Sequence, residues 1–283
     1  MRKNLNKFIV KDYSVSGEEF ELRYNKELDL LETFPQPSED NLGSYYISED
    51  YISHTDSKRN LFENVYHIVR KYALNQKLKL INSFHLESKN LLDFGCGTGD
   101  FLQTAFKANW TVFGIEPNQN ARDIANKKTN NSVFEIEQLN KFSAHSFDVI
   151  TLWHVFEHLP NLGYHISVFK KLLKPNGRLV IAVPNFKCYD AAYYKSYWAA
   201  YDVPRHFWHF SQDSIKNIFS KVDMEIQDML PMKFDAFYVS LLSEKYKNGK
   251  MNYFKSFWIG LKSNLRAKRS KEYSSLIYVL KNT

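Results

Sequence analysis

From Asn90 onward, short apolar runs alternate with amphipathic stretches. Leu91–Phe94, Thr111–Ile115, Ser132–Ile136, Phe147–Trp153, Arg178–Val183, Met224–Met229 and Ser275–Leu280 each set a brief apolar run between polar or turn residues, and each predicts a strand. Phe147–Trp153 (FDVITLW) is almost wholly apolar, as a strand covered on both faces should be. Helices are expected from the Gly99 turn through Lys107, near Gln119–Lys127, near Tyr164–Leu173 and over Ile215–Phe219. The third stops at Lys174-Pro175-Asn176-Gly177, and Ser211-Gln212-Asp213 reads as a cap for the fourth. Alternation of this kind predicts a parallel sheet with helices on both faces.

The first 89 residues follow another pattern. Phe8 to Leu31 reads as short strands with a Ser16-Gly17 turn, and Pro35 and Pro37 mark a linker. Asp56 to Phe84 predicts a helix, with Leu61, Val65, Ile68, Val69 and Tyr72 on its apolar face. Between them lies the tyrosine-rich run GSYYISEDYISH, Gly43 to His54, which suits either a packing arm or a lid.

Composition narrows the class. No stretch approaches the roughly 18 apolar residues of a membrane span. The basic start MRKNLNKFIVKDYS lacks the apolar centre of a signal peptide, so the expected location is the cytoplasm. Cys96 and Cys188 are the only cysteines, too few for a disulfide framework or a cysteine zinc site. The net charge of +7 is concentrated between Leu241 and Lys271, where nine basic residues face one acid, Glu244. The rest is near neutral, which argues against a surface that coats nucleic acid. Within Tyr253–Ser270 aromatic and basic residues interleave. That pattern suits a solvated face with aromatics packed on the core, or a helix that binds a membrane surface or nucleic acid.

The chemistry begins at Leu91–Phe101, LLDFGCGTGDF. An apolar run ends in Asp93, glycines follow at 95, 97 and 99, and an amphipathic stretch begins. A strand, a tight turn and a helix start bring backbone N–H groups close to a ligand. Asp100 stands where a dinucleotide fingerprint needs glycine, and no Gly-Lys-Ser/Thr follows for a P-loop. With its acid two residues before the first glycine, the loop resembles motif I of class I S-adenosylmethionine (SAM)-dependent methyltransferases. FGIEPN, FDVITLWHVFEHLP, LLKPNGRLVIAVPN and DVPRHFWHFS extend the resemblance over about residues 60 to 280. The branch it is similar to is the one related to ubiquinone-biosynthesis O-methyltransferases.

That resemblance implies an α/β fold: a three-layer sandwich around a Rossmann-like, seven-stranded, mostly parallel sheet with an N-terminal extension. Residues 1–55 would be the extension and possible lid. Residues 56–283 would be the methyltransferase domain, with insertions at 185–210 and 240–272. SAM is the implied cofactor. Asp93, Phe94, Gly95, Cys96, Gly97 and Gly99 would form its loop, with Asp93 accepting from the cationic amine and Cys96 a small neutral filler. Glu116, followed by Pro117, offers two carboxylate oxygens to two ribose hydroxyls. Glu135 and Ile136 would flank the adenine, and Trp153 closes the fourth strand.

Histidines mark the acceptor side. His154, Glu157 and His158 have the spacing H-x-x-E-H, which a helix would gather on one face and which matches an inverted zinc-protease motif. Pro160 and the strand just before leave no room for the sustained helix a protease needs. In some relatives of the resembled family the pattern is E-x-x-E-H and binds a divalent metal; here His154 replaces the first glutamate. No metal is expected, with His154, Glu157 and His158 as the alternative set. These three and His209 are the candidate catalytic residues, with His158 or His209 as base. Arg205 and His206, with Tyr46 and Tyr51, are candidate acceptor contacts, although Arg205 could instead pair locally with Asp202. The expected reaction is methyl transfer to an oxygen of a small-molecule or lipid-like acceptor. The alternatives are an RNA methyltransferase anchored by residues 241–271, and a non-catalytic SAM-fold partner protein.

Overall fold

The computed structural model describes residues 7–46 and 61–283. Strands β1 (Lys7–Lys11), β2 (Glu19–Asn25) and β3 (Leu30–Phe34) form an antiparallel meander. The central sheet contains β4 (Asn90–Phe94), β5 (Thr111–Ile115), β6 (Val133–Phe134), β7 (Phe147–Trp153) and β8 (Leu173–Pro184). A short β9 (Trp208–His209) precedes its last two members, β10 (Met224–Pro231) and β11 (Ser275–Asn282). The order is β10-β11-β8-β7-β4-β5-β6, with β11 antiparallel to both neighbours. The predicted strands are all present. The third is cut to Val133–Phe134, and the fifth starts earlier because its strand resumes directly from the helix end at Leu172.

Alternation of side chains across the sheet builds three layers. Leu91, Val149 and Val180 point to one face, where they pack with Ile81, Phe101, Leu102 and Ala125 from the covering helices. Leu92, Ile150, Leu152, Leu179 and Ile181 point to the other, against Ile166, Phe169, Ile215 and Phe219. Ser211 caps the Gln212–Ser220 helix reciprocally with Ser214.

The Leu61–Asn82 helix departs from the expected face. Ile68 and Tyr72 are 68% and 50% exposed. The helix docks instead through Leu74, Leu78 and Ile81, because its packing partners lie under its C-terminal half. Trp110 Nε1 donates to Asn82 Oδ1 there, at 2.9 Å.

The N-terminal meander is joined to the rest through β9, which pairs with β3 (Leu31 with His209, Glu32 with Trp208). A separate core binds the two parts: Val10, Phe20, Leu22 and Leu31 pack with Phe186, Tyr194, Trp198 and Tyr201 of the insertion. Buried Asp190 ties this insertion down, accepting from Trp198 Nε1 at 2.8 Å, Ser263 Oγ at 2.6 Å and Ser274 Oγ at 2.7 Å.

Candidate functional site

Strand order reverses between β4 and β7, and a crevice at the C-terminal ends of such strands is where α/β sheets bind ligands. β4 delivers Asp93, which is buried and accepts from Thr151 Oγ1 at 2.6 Å. Burial pushes its carboxyl up to about 7, against the pull of Thr151 and of the Lys77 ammonium. The turn follows, with Gly95 at φ +72° and Gly97 at φ +55°. A Cβ on Gly95 would lie 2.4 Å from Val155 Cγ2, so that glycine is required by packing. A Cβ on Gly97 would meet nothing within 4 Å. Its backbone borders open space, a cradle that a side chain would fill.

Glu116, at the end of β5, faces that cradle. Its Oε2 accepts from Gly97 N at 2.8 Å and its Oε1 from Asn118 N at 2.9 Å. Burial raises the Glu116 carboxyl above the usual range, although both N–H groups favour its charge. Arg122 braces the loop behind it by donating to the Glu116 and Pro117 carbonyls at 2.8 and 3.0 Å, and to Glu135. Glu135 is thereby held at the rim with its side chain 63% exposed, and Ile136 beside it is 41% exposed. The Cys96 thiol is pushed well up by burial, in keeping with a neutral filler.

The histidine-rich group expected on the acceptor side starts where β7 ends. His154 has φ +58°, and the residues after it form a single 3-10 turn, Phe156–His158, in place of the helical face that the spacing suggested. The three side chains stay neighbours but take different partners. His154 Nε2 lies 3.0 Å from Asp235 Oδ2, and its Nδ1 lies 3.5 Å from Glu157 Oε1. Those carboxylates hold the imidazole protonated, raised to about 10 despite burial. A protonated ring cannot take a proton, so His154 is not a base at neutral pH. His158 is opposite in character: burial, with a smaller push from His206, lowers it to about 4. Its ring meets the His206 ring edge-on at 4.5 Å, and Tyr46 Oη lies 3.0 Å from His158 Nδ1. A cavity of about 750 Å³ opens over this group, lined also by Asp202, Arg205, Tyr238 and Met251.

The family model described as a methyltransferase domain matches residues 66–228, more than half of the chain. The chain belongs to that methyltransferase family. An uncharacterized methyltransferase of Bacillus mycoides is 34% identical over 106 residues, which cover 36% of this chain and 50% of that protein. An uncharacterized methyltransferase of Anoxybacillus flavithermus is 32% identical over 108 residues, covering 36% and 51%. The chain thus matches about half the length of these curated relatives. Among solved structures, a SAM-dependent methyltransferase from Thermotoga maritima, titled a possible histamine N-methyltransferase, aligns at TM-score 0.53 and 16% identity, covering 78% of this chain and 97% of that one. The magnesium protoporphyrin IX methyltransferase of Synechocystis, solved with bound SAM, aligns at TM-score 0.52 and 14% identity, covering 84% and 94%. At such identities the likeness is one of fold, and the fold is that of class I SAM-dependent methyltransferases.

In this methyltransferase the glycine turn after β4 and Glu116 at the end of β5 are tied together by the Gly97 N–Glu116 Oε2 hydrogen bond, and Trp153 ends the neighbouring strand β7. Two acceptor-side expectations come out differently. His209 sits in β9, buried, with Nε2 3.0 Å from Thr33 Oγ1, and it does not line the cavity. Burial holds it well below the usual imidazole range. Arg205 spends its donors structurally: Asp202 Oδ1 at 2.6 Å, Asp12 Oδ1 at 3.1 Å, Ser14 Oγ at 2.9 Å and the Tyr45 carbonyl at 2.9 Å. Tyr51 lies outside the described residues. Two residues were missed. Lys77 lies over the Trp153 ring at 4.2 Å, and burial lowers it to about 8 against the pull of Asp93 and Asp235. Its signal was a lysine set inside the apolar stripe Leu74–Leu78–Ile81. Asp235, the partner of His154, carried no signal because it begins a helix far along the chain.

The basic segment folds as two helices, Asp235–Asn248 and Tyr253–Ser270. Its aromatics do not all pack on the core: Tyr253, Phe254, Phe257 and Trp258 are 57%, 75%, 52% and 51% exposed. Several of its cations are engaged within the fold. Lys255 pairs with buried Glu244 at 3.1 Å, and Lys262 and Arg266 lie over Tyr189. Among the described residues, no helix is long and apolar enough to cross a membrane.

Proposed function

We propose that this methyltransferase carries a methyl group from SAM to an oxygen of a small-molecule or lipid-like acceptor seated in the 750 Å³ cavity. One observation carries the reading: a single segment, residues 153–158, borders both halves of the site. Its Val155 packs on Gly95 of the glycine turn, while His154, Glu157 and His158 line the cavity. Asp93, Gly97, Glu116 and Trp153 would hold the cofactor. The open cradle at Gly97 and the paired oxygens of Glu116 suit its amino-acid end and its ribose.

Bound there, the cofactor supplies a methyl group on a cationic sulfur, which is already a good leaving group. The chain must therefore position the acceptor and exclude water. Asp93 would provide the anionic partner for an ammonium, and the nearby Lys77 ammonium already pulls on its carboxyl. His158, neutral across the physiological range, offers the acceptor a ring nitrogen without a competing positive charge. The Tyr46 hydroxyl beside it supports a lid role for the described part of the N-terminal extension, residues 7–46.

The lipid-like reading is favoured by the exposed Phe254, Phe257 and Trp258, since Met251 in the same stretch lines the cavity. The RNA alternative is weakened because Lys255, Lys262 and Arg266 are held within the fold. Calorimetry with S-adenosylhomocysteine tests the cofactor half, and transfer of labelled methyl from SAM to organic extracts tests the acceptor half. No binding at high micromolar cofactor would sink the assignment; label confined to the RNA fraction would move the acceptor to nucleic acid.

A further inference from the structure

Three side chains from two distant segments meet at the wall of the cavity. Glu157, His158 and His206 bring one ligating atom each to within 4.8 Å of one another. Glu157 is 1% exposed, and neither of its carboxylate oxygens has a hydrogen-bond partner among the described residues. A carboxylate taken out of water without hydrogen bonds needs a compensating cation close by. The protonated His154 supplies part of that charge at 3.5 Å, shared with Asp235, which lies closer to its other nitrogen at 3.0 Å, and it leaves the side of Glu157 that faces His206 open.

Both other histidines are set up as ligands. His158 Nδ1 lies 3.0 Å from the Arg205 carbonyl, and His206 Nδ1 lies 2.9 Å from the Ala200 carbonyl. A carbonyl oxygen only accepts, so in the neutral ring this contact places the proton on Nδ1, with Tyr46 Oη beside that of His158, and leaves Nε2 its lone pair. Histidines that bind metals have this same backbone support on the far nitrogen.

We propose that Glu157, His158 and His206 form a binding site for one divalent first-row transition cation, with its remaining coordination positions open to the cavity. Two imidazoles and one carboxylate suit Zn²⁺, Fe²⁺, Co²⁺ or Mn²⁺ better than Mg²⁺ or Ca²⁺, which favour all-oxygen shells. Glu157 Oε1 and His206 Nε2 are 4.0 Å apart. Ligands at about 2.1 Å from one ion stand roughly 3 to 3.5 Å from each other, so atoms that already lie within 4.8 Å would have to draw together by about 1–2 Å at most to close the site. The set is not the H-x-x-E-H triplet: His154 has turned to Asp235, and His206 from the D-x-P-R-H segment stands in its place. An acceptor offering a phenolic, enolic or alcoholic oxygen could then complete the shell. That consequence rests on the proposed methyl transfer, whereas the ion site does not.

The test is a Co²⁺ titration of the chelator-treated full chain, without SAM or acceptor, followed by visible ligand-field absorption. One equivalent should bind, with Kd raised at least tenfold by His206→Ala and by His158→Ala. His85→Asn, which alters an exposed imidazole outside the cavity, should leave Kd unchanged. Glu157→Gln is a third arm; should it fail to fold, the two histidine variants decide alone. Absence of binding at millimolar Co²⁺, or binding that both histidine variants retain, overturns the site and leaves Glu157 as the buried counter-charge of His154. S-adenosylhomocysteine calorimetry on the same preparations keeps the two readings apart. Cofactor binding without cobalt refutes only the ion site, and cobalt binding without cofactor refutes only the methyl-transfer reading.

Discussion

Replacing Gly97 by alanine should abolish cofactor binding at small cost to the fold, and replacing Gly95 should do the reverse in emphasis. Both residues have positive φ, at +55° and +72°, so an alanine at either pays the left-handed backbone penalty of about 1–2 kcal/mol. The surroundings then separate them. At Gly97 no heavy atom lies within 4 Å of the new methyl, so nothing is added and the loss stays near that backbone term. At Gly95 the methyl would lie 2.4 and 2.9 Å from the two Val155 methyls, which adds an overpacking cost of about 1–3 kcal/mol. The methyl of Gly97→Ala projects into the space that the ligand must approach, beside the N–H that anchors Glu116 at 2.8 Å. Affinity for S-adenosylhomocysteine should fall at least a hundredfold, or about 2.7 kcal/mol. Urea unfolding measures the first quantity and calorimetry the second. A folded Gly97→Ala protein that binds S-adenosylhomocysteine within threefold of the wild type would refute the placement of the cofactor on this turn.

Other measurements probe different parts of the site. Asp93 titrates near 7 in the free protein, and an ammonium ligand favours its ionised form; affinity for S-adenosylhomocysteine should rise about tenfold between pH 6 and 8. Asp93→Asn should bind weakly with a flat profile, and a wild-type Kd independent of pH would show that Asp93 does not meet the amine. The same raised pKa means that the folded state holds a proton the unfolded chain has lost, so the Asp93 contribution to stability falls as pH rises from about 4 to 7. Arg205→Met leaves Asp12, at 0% side-chain exposure, with its bonds from Ser14, Val15 and Ser16 but without its cation, and should cost up to about 3 kcal/mol in urea unfolding; a loss below 1 kcal/mol would show the clamp to be idle. Phe254→Ser with Trp258→Ser should reduce sedimentation with anionic phospholipid vesicles at least fivefold and leave cofactor affinity unchanged. Equal sedimentation of variant and wild type would remove the support for a membrane-borne acceptor.

The sheet was legible because each strand is a short apolar run that must be covered on both faces, and periodicity records that requirement directly. Leu91 and Leu92 go to opposite layers simply because neighbours in a strand point apart. The glycine turn after β4 was legible for a related reason: its glycines serve the backbone, so their spacing is itself the geometry. The packed face of the Leu61–Asn82 helix was less so. Ile68 and Tyr72 have the right spacing, but spacing cannot say how far along its length a helix meets its neighbour.

The acceptor side escaped for a different reason. H-x-x-E-H predicts a shared helical face, whereas His154 at φ +58° precedes a single Phe156–His158 turn and sits between Glu157 and Asp235. The partner it finds, Asp235, and the partner Glu157 and His158 find, His206, come from segments with no sequence relation to the motif. The sequence names the groups able to do chemistry at such a site, while their grouping depends on long-range packing. Here that packing gives one histidine a carboxylate partner and a proton, and leaves two others with free nitrogens beside a carboxylate that lacks hydrogen bonds. Acceptor chemistry of the proposed kind would use the second group, since the carboxylates around His154 favour its protonated ring.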